Sequence, residues 1–167
     1  MDRLSVTTTP GNAQLTQLEL VIPLRATAPG PNGRGLDPAL STWRAAVTAS
    51  ADACLLLAAD TRIVAISLEA RHILGLARDV DAVMPRFLDA GLRFLDFSAG
   101  AHPLVDSELA RLAPVQALQT DALERSLMRI DHRGVHRTFD VTASPLHSPP
   151  RLDAVGSLAF FTPMGPA

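Results

Sequence analysis

The chain has no lysine and only one cysteine, Cys54, in 167 residues. A single cysteine closes no internal disulfide and builds no thiolate zinc site. That usage suits a reducing compartment, so a cytoplasmic location is expected. All 15 basic residues are arginine, a bias expected of a GC-rich bacterial genome that says nothing about mechanism. Without lysine, the phosphate loop Gly-x-x-x-x-Gly-Lys-Ser/Thr cannot be present. Charge is sparse as well, at 19% of residues and a net −2. No dense basic stripe exists, so direct nucleic-acid binding is not expected. Long apolar runs are missing too. The longest is Ala53 to Ala59, against the roughly 20 residues of a spanning helix, so no membrane partner is expected. No apolar segment of a signal peptide follows Met1-Asp2-Arg3-Leu4.

What is present is a core. The chain is 47% hydrophobic, which excludes disorder throughout. A chain of this size buries roughly 70% of its unfolded surface. Residues 1–35 read as an N-terminal extension that ends in the linker Ala28-Pro29-Gly30-Pro31-Asn32-Gly33-Arg34-Gly35. Within it, Leu18 to Leu24 is a short apolar stretch and a candidate edge strand. Residues 36–164 read as the main domain.

Asp37 followed by Pro38 signals a helix start. Leu40, Trp43, Ala46 and Val47 then recur at helical spacing, and the helix should end near Ser50. Ala53–Ala58 and Arg62–Ser67 read as a hairpin turning at Asp60-Thr61, with Ile63 and Ala65 on one face and Val64 and Ile66 on the other. A helix over 68–76 follows, its stripe made of Leu68, His72, Ile73 and Leu76. From Asp79 to Thr120 prolines and glycines break the pattern into short helices, the longest expected over Pro103–Gln119. Strands are expected over 122–130, 135–144 and 154–162. The middle one places Val135, Phe139, Val141 and Ala143 on one face, with Arg137 as the polar exception. This order argues α+β: a five-stranded antiparallel sheet with short helices on one face.

That order, with its turn residues, resembles the PAS family of sensory domains over about Asp37 to Thr162. Ala59-Asp60-Thr61-Arg62-Ile63-Val64-Ala65-Ile66-Ser67 is similar to the family's opening hairpin, with Ser67 where asparagine is usual and no glycine in the turn. Leu68-Glu69-Ala70-Arg71-His72-Ile73-Leu74-Gly75-Leu76 is similar to its next helix, and Gly91-Leu92-Arg93-Phe94-Leu95-Asp96-Phe97 to its middle segment. The final strands resemble it best, through Asp131-His132-Arg133-Gly134, Val141-Thr142-Ala143-Ser144-Pro145-Leu146 and Val155-Gly156-Ser157-Leu158-Ala159-Phe160-Phe161. The resemblance implies a non-enzymatic module of signal transduction or transcription regulation. Such a module binds a small apolar ligand and signals through a homodimer or a partner protein. A ligand-free dimerisation or interaction module is the alternative, and an enzyme acting on an apolar substrate is a third.

No cofactor is assigned. In flavin photosensors of the family a cysteine forms the adduct; Leu92 stands at that position here, and leucine forms none. Cys54 reads as a buried structural thiol. Haem needs an inward imidazole, whereas His102 precedes Pro103 at a solvent edge and His72 reads as a satisfied helix residue. His132 and His136 are four apart across a turn, not on a helix face, so no metal site is expected. Ser144 and His147 lack the Gly-x-Ser-x-Gly elbow, and no catalytic residue is assigned. The candidate ligand-binding residues are Phe97, Leu104, Leu112, Leu127, Arg137, Phe139, Val141 and Phe160. Arg137 could pair a ligand carboxylate, or Asp140 or Glu124 at the sheet surface. Leu40, Trp43 and Val47 form the candidate dimer interface.

Overall fold

The computed structural model describes residues 36–78, 80–150 and 153–165. The expected extension over 1–35, with its Leu18–Leu24 stretch, lies outside the described residues. Asp37 caps the first helix, α1 (Pro38–Ala49), its carboxylate accepting from the Ala39 N–H at 2.9 Å. Proline at the first helical position fits because its missing N–H has no partner there anyway. The strands β1 (Cys54–Ala58) and β2 (Ile63–Ile66) form the expected hairpin. Ser67 then caps α2 (Leu68–Leu74), accepting from the Ala70 N–H, and Gly75 ends it at φ +71. The interrupted stretch holds α3 (Val80–Val83), one 3-10 turn (Phe87–Asp89), β3 (Arg93–Leu95), α4 (Asp106–Leu109) and α5 (Ala113–Thr120). Three long strands follow: β4 (Glu124–His132), β5 (Val135–Leu146) and β6 (Gly156–Met164).

All strand pairs are antiparallel, in the order β2-β1-β6-β5-β4-β3. The sheet thus has six strands, not the five expected. The additional one, β3, is three residues long, too short for alternation to reveal it, and it pairs at the edge with Arg129–Asp131 of β4. The single helix expected over Pro103–Gln119 is two helices. Pro114 sits in the first turn of α5, where it starts a helix rather than interrupting one.

Two clusters pack on opposite faces of the sheet. The inner one lies between the sheet and the α2–α5 region and contains Leu55, Leu57, Ile63, Phe87, Phe94, Met128, Ile130, Phe139 and Phe161. Ser126 Oγ accepts from the Ala113 N–H at 3.0 Å, and buried Ser157 Oγ donates to the Pro114 carbonyl at 2.8 Å, so β4 and β6 both pin the start of α5. The outer cluster joins Leu40 and Val47 of α1 to Leu56, Val64, Ala65 and Leu158. Val64 and Ala65 are successive yet share this face, contrary to the alternation expected. An irregularity in the β1–β2 register, between Leu56 and Leu57, accounts for it.

Candidate functional site

The inner side of the sheet brings four candidate ligand residues together. Leu112, Phe139 and Val141 are buried there, and Leu104 is half-buried against the same cluster. Four rings belong to the same buried cluster. Phe87 and Phe94 stand 5.4 Å apart between centroids, and Phe139 meets Phe161 edge-on at 6.4 Å. Such pairs prefer tilted geometries because the electron-rich ring face attracts the electropositive ring edge.

Phe97, Leu127 and Phe160 do not share that space; their expected inward placement is corrected by strand register. Val141 pairs with Ser126 and Phe161, so Ser126, Met128 and Ile130 point inward from β4, and Phe161 from β6. Leu127 and Phe160 therefore point outward, at 52% and 42% exposure. Phe97 is also exposed, with the Arg129 guanidinium 4.7 Å above its ring. The expected dimer helix divides likewise. Leu40 and Val47 are each 3% exposed because they cover the molecule's own sheet, leaving only Trp43, at 40%, available to a partner.

Arg137 takes neither of the partners considered for it. Its Nη1 donates to the Ile73 carbonyl at 3.0 Å, binding the last turn of α2 to β5. Asp140 instead accepts from both Nε and Nη2 of Arg125 on the outer face. That guanidinium holds the Asp140 carboxyl below the ordinary carboxylate range. Asp96 is also held low, by the Ser98 hydroxyl first and by the backbone N–H groups of His102 and Ser98. Ser144 and His147 are not joined: the serine hydroxyl donates to the Pro145 carbonyl, and His147 pairs with Asp121 at 2.7 Å. Cys54 is buried in the outer cluster beneath α1, away from the inner rings.

One open groove, of about 680 Å³, lies between α2 and the β4–β5 turn. Arg71 and His72 line it from α2, Arg78 from the segment after α2, and His132 and Arg133 from the hairpin; Leu68 and Leu76 are its apolar residues. Of the stripe expected on this helix, Ile73 and Leu76 are buried while Leu68 and His72 are exposed, and Ala70 and Leu74 complete the buried side. Sequence reasoning did not single out this cluster. Its basic residues are spread over 60 positions and no local spacing links them; the hairpin folding back onto α2 brings them together.

No family model matches the sequence. No curated protein matches it either. Solved structures do match. The fold is similar to a PAS domain from Colwellia psychrerythraea, with 15% identity, TM-score 0.51, and coverage of 75% of this chain and 96% of that one. It is similar to the Rhodobacter sphaeroides LOV protein, with 15% identity, TM-score 0.56, and coverage of 78% and 70%. It is also similar to the VqmA dimer of Vibrio cholerae, described as a LuxR-type receptor, with 12% identity and TM-score 0.53 over 75% of this chain and 51% of that one. VqmA is also known bound to DPO. At these identities the likeness establishes the fold, and the chain is a PAS-like α+β domain.

Proposed function

We propose that residues 36–164 form a non-enzymatic, cytoplasmic sensory or regulatory module whose output runs through pairing of two copies across the outer face of the sheet. The observation that carries this reading is the contrast between the two faces. Inside, Phe87, Phe94, Phe139 and Phe161 are buried and packed ring against ring. Outside, beyond the cover of α1, Leu127, Phe160 and Met164 stay exposed on three adjoining strand rows. A second copy related by a two-fold axis would bury this patch against itself, and the fold neighbour VqmA is a dimer. Two carboxylates with a lowered pKa have structural duties, Asp140 on Arg125 and Asp96 in its turn, which supports a non-enzymatic reading.

Sedimentation velocity of the wild type and of Phe160→Arg tests it. The wild type should sediment as a dimer and the variant as a monomer with an unchanged circular dichroism spectrum. A wild type that stays monomeric at every concentration, or a variant that still dimerises, overturns the reading.

The small apolar ligand remains a second reading, favoured by the convergence of Leu104, Leu112, Phe139 and Val141 on one side of the sheet and by the DPO-bound neighbour. In that case the ligand selects a minor packing with a more open interior. Native mass spectrometry of the purified protein would show a co-purifying mass.

A further inference from the structure

We propose that the groove between the C-terminal end of α2 and the β4–β5 turn binds the phosphate groups of a small, nucleotide-sized anion. The site is separate from the outer face and independent of the pairing proposed there.

Five basic side chains line the groove, and among the described residues no carboxylate does. The whole chain carries 17 acidic residues against 15 lysines and arginines, so the local excess of positive charge runs against the average. Two of the five have an ordinary explanation. Arg71 and His72 occupy the last turn of α2, where cations offset the exposed carbonyl ends of a helix. Arg78, His132 and Arg133 belong to other segments and have no such duty. Among the described residues, neither Arg78 nor Arg133 takes part in any ion pair or side-chain hydrogen bond. A guanidinium presents paired donors in a rigid plane that fits two phosphate oxygens at once.

The walls of the groove are fixed relative to one another. Arg133 (φ +56) and Gly134 (φ +82) form the two-residue turn between His132 and Val135. Asp131 Oδ1 accepts from the Gly134 N–H at 2.7 Å and holds that turn. The His132 ring lies directly on Gly75, where an added Cβ would collide with it. Arg137 ties the same turn of α2 to β5 and answers the Ile73 carbonyl, one of the acceptors that would otherwise repel an anion. The segments that carry Arg71, His72, His132 and Arg133 are therefore held near one another before any ligand arrives, which lowers the cost of binding. Exposed Leu68, with Leu76 behind it, gives the groove an apolar surface, and about 680 Å³ falls in the roughly 300–1,000 Å³ range of small-molecule sites. Cations beside an apolar surface suit a ligand that carries phosphates on a flat or apolar body.

The test uses two probes without added metal, inorganic pyrophosphate and ATP, followed by amide NMR and titration calorimetry. Pyrophosphate should shift the amide signals of Gly75, Leu76 and Gly134 saturably. ATP should shift the same signals and bind more tightly, because its base can rest on exposed Leu68. The double variant Arg78→Ala/Arg133→Ala should weaken both by about tenfold or more, since it removes two charge-assisted contacts. Arg44→Ala, on exposed α1, should change nothing. The absence of saturable shifts, shifts spread over the surface arginines, or unaltered binding in the double variant overturns the site. ATP binding no tighter than pyrophosphate overturns the role of Leu68.

Discussion

The two faces of the long strands each carry phenylalanine, and their rings end in different states. Along β5 and β6 the inward set, Phe139, Val141, Ala143, Ala159 and Phe161, is dry. The outward set, Thr138, Asp140, Thr142, Phe160 and Thr162, is half-buried or open. Phe160 and Phe161 are neighbours in the chain and chemically identical, yet one is 42% exposed and the other 4%. Apolar character alone thus does not assign a residue to the core. The covering layer does, and among the described residues the helices that cover the inner face have no counterpart on the outer side of β4 and β5.

The largest effect that would break this comparison comes from trimming one ring on each face. Phe139→Ala should cost about 3–5 kcal/mol in urea unfolding, because it opens a cavity among Phe161, Met128 and Val141. Phe160→Ala should cost no more than about 1 kcal/mol in the monomer, since the ring is only partly withdrawn from water. Equal losses at the two positions would mean that the outer face is covered after all.

Gly75→Ala is next in size. Left-handed backbone costs a Cβ-bearing residue about 1–2 kcal/mol, and here the His132 ring must also move. Combining it with His132→Ala should recover the ring contribution and leave the backbone strain. Full recovery in the double variant would show that φ +71 is not what demands glycine there.

The smallest effect concerns acid. The Asp96 carboxyl is held below its ordinary range by Ser98 and the His102 N–H. A group depressed in the folded state contributes stability that is fully present above its unfolded value and is lost as pH falls through the folded one. Melting temperature should therefore drop on acidification, and less steeply in Asp96→Asn. Parallel pH profiles for the two proteins would remove Asp96 from the account of acid sensitivity.

Much of the architecture was legible because it rests on local chemistry. The Asp37-Pro38 cap, the turn at Gly134 and the alternation of β5 all appear where their residues place them. The candidate site was legible only in part, because its residues lie where the pattern is ambiguous. Leu127-Met128 and Phe160-Phe161 put two apolar side chains in succession, so alternation cannot choose between them. Pairing with β5 makes the choice, and that pairing is long-range. The stripe on α1 was equally readable, but a stripe does not say whether it meets its own sheet or another molecule; here Leu40 and Val47 meet their own. The basic groove left no trace in the sequence, since its walls come from segments far apart in the chain.

The position of β6 has a consequence for how the chain reaches its native state. Of the described strands the latest in the chain, β6, is inserted between the earliest, β1, and β5. Until Gly156–Met164 has emerged, the β1–β2 hairpin and the β3–β4–β5 meander share no strand contact, and Leu55 and Leu57 lack the neighbour that completes their row. Synthesis therefore holds two half-sheets apart, each with an open edge, and joins them in a single late closure over about a hundred residues. High contact order of this kind slows folding and lengthens the time that unpaired edges are exposed to other chains.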